Sequence, residues 1–549
     1  FETLDYAVFG IYAIVILGVG LWVSRDKKGE TKSAEDYFLA SKSLPWWAIG
    51  ASLIAANISA EQFIGMSGSG FAVGLAIATY EWMAALTLII VGKFFLPIFI
   101  KKGLYTIPEF VEKRFSSQLK IILAVFWIGL YVFVNLASVM YLGGLALQTI
   151  LGIDMLTGVI GLAAFAAAYS LYGGLSAVAW TDIIQVVVLI LGGLVTTYLA
   201  LDTVSGGQGF MEGLTTIYNA VPEKFDMILD RSNPEFMNLP GIGVLIGGMW
   251  VANLYYWGFN QYIIQRTLAA KSLEESQKGI LFAAGLKMIM PIIVVIPGIA
   301  AYVIVNDPTL LASLGEAGVN NIPSSGSADK AYPWLMQFLP TGLKGIAIAA
   351  LAAAIVSSLA SMLNSTATIF TMDIYKQLIN KDANDKKTVN VGRISALVAL
   401  IIATIMAPLL GGIDQAFQFI QEYTGVVSPG ILAVFLLGLF WKKTSNKGAI
   451  YGALLSIPIA LFFKIGPKGW MAETGLDFLF PTLPFLDQMG LTAILSMVVI
   501  AIVSLKENKD KDDAKSIKLE KGIFVTSPIF NIGSFALLII LSVLYALFW

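Results

Sequence analysis

Long apolar segments recur from one end of the chain to the other, separated by shorter polar connections. Runs of about 17 to 30 mostly apolar residues are long enough to cross a bilayer as helices. This pattern predicts an all-α integral membrane protein with about 14 transmembrane helices. The candidates begin near Leu4, Trp46, Leu75, Gln118, Met155, Ala177, Gly241, Ser276, Gly342, Val389, Ile413, Gly448, Gly490 and Phe524.

The basic residues are concentrated in alternate connections between these segments. Connections that follow odd-numbered spans hold 27 of the 35 Lys and Arg residues. Lys and Arg accumulate on the cytoplasmic side of membrane proteins, so these connections are predicted to be cytoplasmic. This bias supports the number of spans. One missed or wrongly added span would place the basic connections that follow it on the opposite side of the membrane. Both termini are therefore predicted outside.

Two of the apolar segments are interrupted by polar residues. The second contains "NISAEQ" (57–62), and the seventh, five spans later, contains "NLYYWGFNQ" (253–261). An inverted repeat of five plus five helices would give this spacing, with a broken helix opening each half and a binding site at the breaks. Small and polar residues can also serve close helix packing, but two breaks in matching places favour the repeat.

The composition excludes several classes of function. The chain of 549 residues is 57% hydrophobic and 13% charged, with a net charge of −1 and neither Cys nor His. Disulfides, thiol chemistry and histidine catalysis are therefore excluded. The chain carries no phosphate-binding G-x-x-x-x-G-K-[ST] motif and no hydrophilic stretch long enough for a nucleotide-hydrolysing domain. We predict neither an enzyme nor a nucleic-acid-binding protein.

Several polar side chains fall at membrane depth, where an ionisable group costs about 2.5 to 3.5 kcal/mol on insertion scales and usually faces a cavity. Lys287 stands among apolar neighbours and could form a structural ion pair with Glu81 or Glu422 instead of contacting a ligand. Together the groups offer donors and acceptors of both kinds, which suits a neutral, polyhydroxylated ligand. They are Glu61, Glu81, Lys287 and Glu422, with the amides Gln62, Asn253 and Gln421.

Apolar side chains accompany the amides. Phe417 lies four residues before Gln421 and Met66 four residues after Gln62, so each is predicted to share a helix face with its amide. Tyr80 directly precedes Glu81, and Tyr256 follows Asn253 by three residues. Such aromatic residues often serve packing, but their pairing with buried polar groups on three spans favours a ligand site.

The ninth span predicts a cation site. It consists almost entirely of small residues and carries the adjacent Ser357 and Ser358. Small residues also permit close packing, which accounts for most of the run. A hard cation such as Na⁺ prefers oxygen ligands, and two hydroxyls facing the carbonyls freed at the break of the second span would supply them.

Two long motifs carry a family resemblance. With "GLAAFAAAYSLYGGLSAVAWTDIIQ" (161–185) and "GLFWKKTSNKGAIYGA" (438–453), the chain resembles the sodium:solute symporter family along nearly its whole length, in particular its sodium/galactose and sodium/glucose type members. The resemblance implies a ten-helix, 5+5 inverted-repeat core. It divides the chain into an extra N-terminal helix and cytoplasmic loop (1–45), a first repeat (46–203), an external loop (204–239), a second repeat (240–441) and three peripheral helices (442–549).

The resemblance also implies roles for individual residues. The sugar would contact Gln62, Glu81, Asn253, Tyr256, Lys287 and Gln421, with the Tyr256 ring stacked on the pyranose. The gates would be Met66, Tyr80, Tyr256 and Phe417. Sodium would be held by the carbonyls of Ala55, Ile58 and Ala354 and the hydroxyls of Ser357 and Ser358. Asp182 resembles the acidic residue near the sodium exit path, and Glu61 receives no role.

The predicted function is uptake of a neutral monosaccharide of galactose or glucose type, driven by inward Na⁺ movement through a bacterial inner membrane. No arrangement is dedicated to a substrate carboxylate, which disfavours amino-acid and organic-acid substrates. The expected partners are the sugar, Na⁺ as transported coupling ion and the lipid bilayer, and no obligate protein partner is evident. Two alternatives are a sodium symporter of another neutral organic solute and a channel or transport-like sensor. A channel usually repeats charges or carbonyl loops along its pore, and none recurs here.

Overall fold

The computed structural model describes residues 1–25, 30–104 and 106–549. Residues 26–29, in the first basic connection, and residue 105, in the second, lie outside it. The described chain is helical and contains no β-strand beyond one isolated bridge between Leu44 and Ala270. This agrees with the predicted all-α class.

The helices of the first half of the described chain are α1 (Thr3–Ser24), α2 (Ala34–Leu39), α3 (Trp46–Asn57), α4 (Ser67–Ala72), α5 (Thr79–Ile90), α6 (Leu96–Lys101), α7 (Ile107–Arg114), α8 (Ser117–Gly129), α9 (Ala137–Leu151), α10 (Met155–Val204), α11 (Phe210–Ala220), α12 (Ile242–Ile246), α13 (Gly248–Gly258) and α14 (Gln261–Leu268). Those of the second half are α15 (Leu273–Val294), α16 (Ile296–Asn306), α17 (Pro308–Ser313), α18 (Ala331–Met336), α19 (Leu343–Ile369), α20 (Asp385–Met406), α21 (Ala416–Phe440), α22 (Asn446–Ile465), α23 (Trp470–Glu473), α24 (Phe485–Asn508) and α25 (Pro528–Leu547).

Several α-helices are flanked by π-helical or 3₁₀-helical segments. The π-helical segments are Glu61–Met66, Val91–Phe95, Leu130–Leu136 and Phe370–Ile379. The short 3₁₀ segments are Ala40–Lys42, Leu75–Ala78, Pro222–Phe225, Glu316–Val319, Ala328–Lys330, Ala407–Leu410 and Asp477–Leu479.

The described residues contain 11 helices that are long and apolar enough to cross a membrane. The chain is therefore an integral membrane protein. The other three predicted spans, starting near Trp46, Met155 and Gly241, fall below this length for a physical reason. The spans near Trp46 and Gly241 consist of short helices separated by breaks. The span near Met155 contributes a shorter apolar helix, Met155–Ala168.

The two predicted interruptions are breaks in the structure. Helix α3 ends at Asn57, and Ile58 leaves the helical region with φ −77° and ψ 96°. The chain then re-enters a helix through the π-helical segment Glu61–Met66. In the seventh segment, α13 ends at Gly258, and Asn260 adopts an extended conformation before α14 begins at Gln261.

Helix α10 contains a sharp kink that separates the predicted fifth and sixth spans. Gly174 has φ 62° and ψ −146°, which interrupts the helix. A Cβ at this position would lie 2.4 Å from the carbonyl oxygen of Tyr37. Both the positive φ and the close backbone approach therefore require glycine here.

The broken second segment is packed into the centre of the helical core. Helix α3 packs against α15 and α10, α15 packs against α5, and α13 lies between α5 and α21. Beyond the break, α4 packs against α16, and the Ser67 hydroxyl at the start of α4 donates to the carbonyl of Val294, the last residue of α15, at 2.5 Å. Helices α3 and α14, each on one side of a break, pack against each other and against α19.

Gly298 permits the contact between α16 and α4, because a Cβ there would lie 2.0 Å from the backbone carbonyl oxygen of Ser67. Gly298→Ala should therefore force the two helices apart and destabilise the protein by about 1 to 3 kcal/mol or more. Gly285→Ala on α15 is the matched control, since no described atom lies within 4 Å of a Cβ there. Thermal unfolding in detergent measures both, and equal stability of the two variants would contradict the packing.

Candidate functional site

The five elements around the break line a polar cavity of about 40 Å³, well below the roughly 300 to 1,000 Å³ typical of ligand pockets, so these walls must move apart to admit a sugar. Its walls come from the end of α3 with the following π-helical segment, and from α5, α13, α15 and α21. The lining residues are Asn57, Glu61, Gln62, Tyr80, Glu81, Ala84, Ala252, Asn253, Tyr256, Trp257, Lys287, Phe417 and Gln421. Mixed donors and acceptors thus face one enclosed space.

Lys287 is the centre of a hydrogen-bond network across this cavity. Its Nζ lies 2.5 Å from Glu81 Oε2, and both side chains are almost completely buried. The same Nζ donates to Oδ1 of Asn57, whose Nδ2 donates to the Tyr256 hydroxyl at 2.9 Å. Of the two predicted partners, Lys287 therefore pairs with Glu81, whereas Glu422 pairs with Lys464 at 2.5 Å outside the cavity lining.

The Gln62 side chain connects the cavity to the break in the backbone. Its Oε1 accepts the Ser59 N–H at 3.0 Å and the Ser59 hydroxyl at 3.3 Å. In an uninterrupted helix the Ser59 N–H would donate to the carbonyl of Ala55. Gln62 therefore lines the cavity and also leaves the Ala55 carbonyl without its helical donor.

Tyr80 and Phe417 form an aromatic contact at the edge of the cavity. Their rings meet edge to face, with centroids 4.9 Å apart and an interplanar angle of 86°. Gly65 allows the π-helical segment to approach Phe417, because a Cβ at Gly65 would lie 3.0 Å from the Phe417 Cβ. The two aromatic residues thus contact each other directly across α5 and α21.

A pair of carboxylates holds the start of the helix that carries Phe417. Asp329 Oδ2 accepts the Ala416 N–H at 2.9 Å, and Asp414 Oδ1 accepts the Ala328 N–H at 3.2 Å. Burial raises the pKa of both carboxyl groups, with Asp329 shifted well above its ordinary value. This reciprocal contact ties the 3₁₀ segment Ala328–Lys330 to the N-terminus of α21.

All six predicted sugar contacts line the one cavity, and so do three of the four predicted gates. Met66 is fully buried one turn beyond Gln62 and does not line this cavity. The sugar-contact and gating roles of all these residues stay predictions. Asn57 and Trp257 also line the cavity, although the sequence pattern did not predict them as lining residues. Asn57 stands within the recognised "NISAEQ" break and Trp257 directly follows Tyr256, but no periodicity distinguishes either from a packing residue.

The predicted cation-binding residues lie where α19 meets the carbonyl end of α3. The Ser358 hydroxyl donates to the carbonyl of Ala56 at 2.6 Å, one residue from Ala55. Ala354 is buried one turn earlier on α19, and Ile58 is buried at the break itself. The structure therefore brings the Ser358 hydroxyl of the ninth predicted span to the carbonyl end of the second.

Asp182 contacts this region directly. Its Oδ1 accepts the Ser357 hydroxyl at 2.6 Å, and its Oδ2 accepts the Ser52 hydroxyl at 2.6 Å. Arg266 on α14 lies 3.2 Å from the same carboxylate and also donates to the hydroxyls of Ser52 and Ser361. A fully buried ion pair thus links α10, α14 and α19 beside the predicted cation ligands.

Residues 37–456 match the sodium:solute symporter family. The chain belongs to this family. It is 66% identical to a sodium/glucose cotransporter of Vibrio parahaemolyticus, over 100% of this chain and 98% of that protein. It is also 36% identical to the human sodium/myo-inositol cotransporter 2, over 84% of this chain and 69% of that protein.

Solved structures agree on the fold of this family member. The structure of a Na⁺-coupled sialic acid symporter in a substrate-bound, outward-open state superposes with a TM-score of 0.78 and 24% identity, covering 94% of this chain and 100% of that one. At this identity the likeness concerns the fold. The chain therefore shares its overall helical fold with that solved structure.

The buried pair of Lys287 and Glu81 yields a test of the network in this family member. Lys287→Met or Glu81→Gln alone leaves one buried charge without its partner, and each should destabilise the protein by about 3 to 5 kcal/mol. The double variant removes both charges and should recover most of that loss.

The matched control is Lys464→Met, which breaks the more exposed pair with Glu422 and should cost about 1 kcal/mol or less. Thermal unfolding in detergent measures all four variants. A double variant no more stable than the singles would contradict the pairing of Lys287 with Glu81.

Proposed function

We propose that this family member is a secondary active transporter that couples inward Na⁺ movement to uptake of a neutral monosaccharide of galactose or glucose type by alternating access. The observation that carries the proposal is the enclosed cavity in which a neutralised ion pair, amides and tyrosines face one space. Such a surface matches the many hydroxyls of a sugar. The 66% identical relative from Vibrio parahaemolyticus is named a sodium/glucose cotransporter, which supports the proposal.

The architecture proposed with this function has about 14 transmembrane helices and a 5+5 inverted-repeat core. The first repeat spans residues 46–203 and the second 240–441, each opening with a broken helix. Residues 1–45 add one helix, 204–239 form an external loop and 442–549 add three peripheral helices. Both termini lie outside a bacterial inner membrane. The matched positions of the two breaks support this arrangement.

The sugar-binding role belongs to the cavity. Gln62, Glu81, Asn253, Lys287 and Gln421 supply the polar contacts, and Tyr256 stacks on the ring. Tyr80 and Phe417, in edge-to-face contact, close the cavity together with Tyr256 and Met66. Support comes from the convergence of these side chains from five elements on one space.

Na⁺, as the transported ion, would be held beside the break by the carbonyls of Ala55, Ile58 and Ala354 and the hydroxyls of Ser357 and Ser358. The Ala55 carbonyl is suited to this because its helical donor is turned to Gln62. Asp182, bonded to Ser357, would receive the ion on its way to the cytoplasm. One such cluster predicts one Na⁺ per sugar.

The driving force is sufficient for accumulation. One Na⁺ crossing 100 mV supplies roughly 2.3 kcal/mol, and each 1.4 kcal/mol is a factor of ten, so voltage could concentrate a neutral sugar about 40-fold. An inward Na⁺ concentration gradient adds to this factor.

A second candidate is a neutral organic solute other than an aldose. The 36% identical human relative is named a sodium/myo-inositol cotransporter, and a cyclic polyol presents the same kind of hydroxyls. Among the described residues, the cavity lining offers no free cation for a carboxylate, because Lys287 is occupied by Glu81 and Asn57.

Ser358→Ala separates ligand binding from helix packing. If Ser358 serves packing, the variant loses one hydrogen bond to Ala56, worth about 1 kcal/mol, and keeps its Na⁺ dependence. If its oxygen binds Na⁺, the Na⁺ concentration for half-maximal uptake should rise at least tenfold or uptake should vanish. Ser365→Ala on the same helix is the control, because its buried hydroxyl has no hydrogen-bond partner among the described residues. Unchanged Na⁺ dependence in Ser358→Ala would remove this residue from the site.

Uptake into liposomes tests the proposed function directly. The purified chain, reconstituted with an inward Na⁺ gradient, should accumulate labelled galactose or glucose, and dissipation of the gradient should abolish accumulation. Labelled myo-inositol distinguishes the second candidate, and labelled proline is the amino-acid control. Uptake of proline without sugar, or sugar uptake independent of Na⁺, would contradict the proposal.

A further inference from the structure

Glu61 is a buried acidic residue in the cavity wall to which neither the sequence nor the family resemblance gives a role. It is 4% exposed and begins the π-helical segment Glu61–Met66 after the break. Its backbone N–H donates to the Ser59 hydroxyl at 3.0 Å, which fixes the start of this segment. Its side chain lines the cavity beside Gln62.

The carboxylate of Glu61 has an unused acceptor. Its Oε1 is buried and has no hydrogen-bond partner among the described residues. The cation of the cavity is not available to it, because Lys287 contacts Glu81 and Asn57. A buried polar oxygen without a partner is costly, so an unpartnered carboxyl oxygen in this wall implies a donor that arrives with a ligand.

Several other acceptors of the cavity are already engaged. Gln62 Oε1 accepts from Ser59, and Asn57 Oδ1 accepts from Lys287. Glu81 is neutralised by the same lysine. The Tyr80 hydroxyl, in the same wall, has no partner among the described residues either. Two buried, unpartnered groups thus face the cavity, Glu61 Oε1 as an acceptor and the Tyr80 hydroxyl as a donor, a combination that one or two hydroxyl groups satisfy.

We propose that Glu61 is a substrate-binding and specificity-determining residue whose carboxylate accepts a hydrogen bond from one hydroxyl of the transported sugar. This inference rests on the proposed function of the same cavity. A hydroxyl O–H donating to a carboxylate forms a charge-assisted hydrogen bond, which is stronger than one to a neutral amide. Glu61 thus selects ligands that present a donor at one position of the ring.

The test combines variants of Glu61 with sugars that lack single hydroxyls. Binding of galactose and of its 2-, 3-, 4- and 6-deoxy analogues is measured on purified protein at saturating Na⁺. Glu61→Ala should weaken galactose binding by about 10- to 150-fold, the range for a hydrogen bond to a charged group. One deoxy analogue should bind poorly to the unmodified protein and lose nothing further in the variant.

Two further variants keep this test decisive. Glu61→Gln preserves size and one acceptor oxygen, so it should fold and show a smaller loss on the same hydroxyl. Glu422→Gln is the matched control, a carboxylate paired with Lys464 outside the cavity lining, and should bind all five sugars as the unmodified protein does.

Equal weakening of all five sugars by Glu61→Ala and Glu61→Gln, or no weakening at all, would overturn the assignment. Tighter binding of galactosamine than galactose, lost in Glu61→Gln, would overturn it in favour of an ammonium site. An unmodified protein that binds none of the sugars would instead refute the proposed function, and this outcome is distinguishable because it requires no variant.

Discussion

The hydrogen bond from the Ser59 N–H to Gln62 Oε1 is the interaction on which the rest of the site depends. It diverts the donor that would otherwise continue α3 past Asn57, so the helix ends inside the protein. A helix interrupted in an apolar environment must have its backbone groups satisfied by neighbours or by a cavity. Here a glutamine supplies one partner, and the hydroxyl of Ser358 supplies another to the carbonyl of Ala56.

The same break serves two surfaces of different chemistry. On one side, the side chains of Gln62 and Glu61 face a cavity with hydrogen-bonding groups from four further elements. On the other side, the carbonyl end of α3, with its partial negative charge, faces hydroxyls of α19. Gln62 Oε1 holds the Ser59 N–H, the group that would otherwise donate to the Ala55 carbonyl, so a shift of Gln62 acts on the backbone that joins the two sides. The geometry thus provides a short physical connection between the two proposed binding sites.

Local sequence patterns predicted much of this arrangement. The contacts between residues far apart in the sequence could not be predicted from such patterns. The breaks could be predicted because polar clusters such as "NISAEQ" stand out inside an apolar run. Lys287 could be predicted to have a buried acidic partner, but that partner could not be chosen between Glu81 and Glu422, since the choice depends on which helices pack together. The ion pair of Asp182 with Arg266 joins residues 84 positions apart and has no local signal. Asn57 was missed because sequence spacing does not show which residues of a break face the cavity.

The central claim is that the sugar and Na⁺ sites share one broken helix and are therefore energetically coupled. The most direct measurement is the affinity of the purified protein for Na⁺ without and with saturating galactose, together with the affinity for galactose without and with saturating Na⁺. Each ligand should tighten the other by the same factor, and coupling free energies of about 1 to 3 kcal/mol correspond to roughly 5- to 150-fold. Affinities for each ligand that are unchanged by the other would contradict the account.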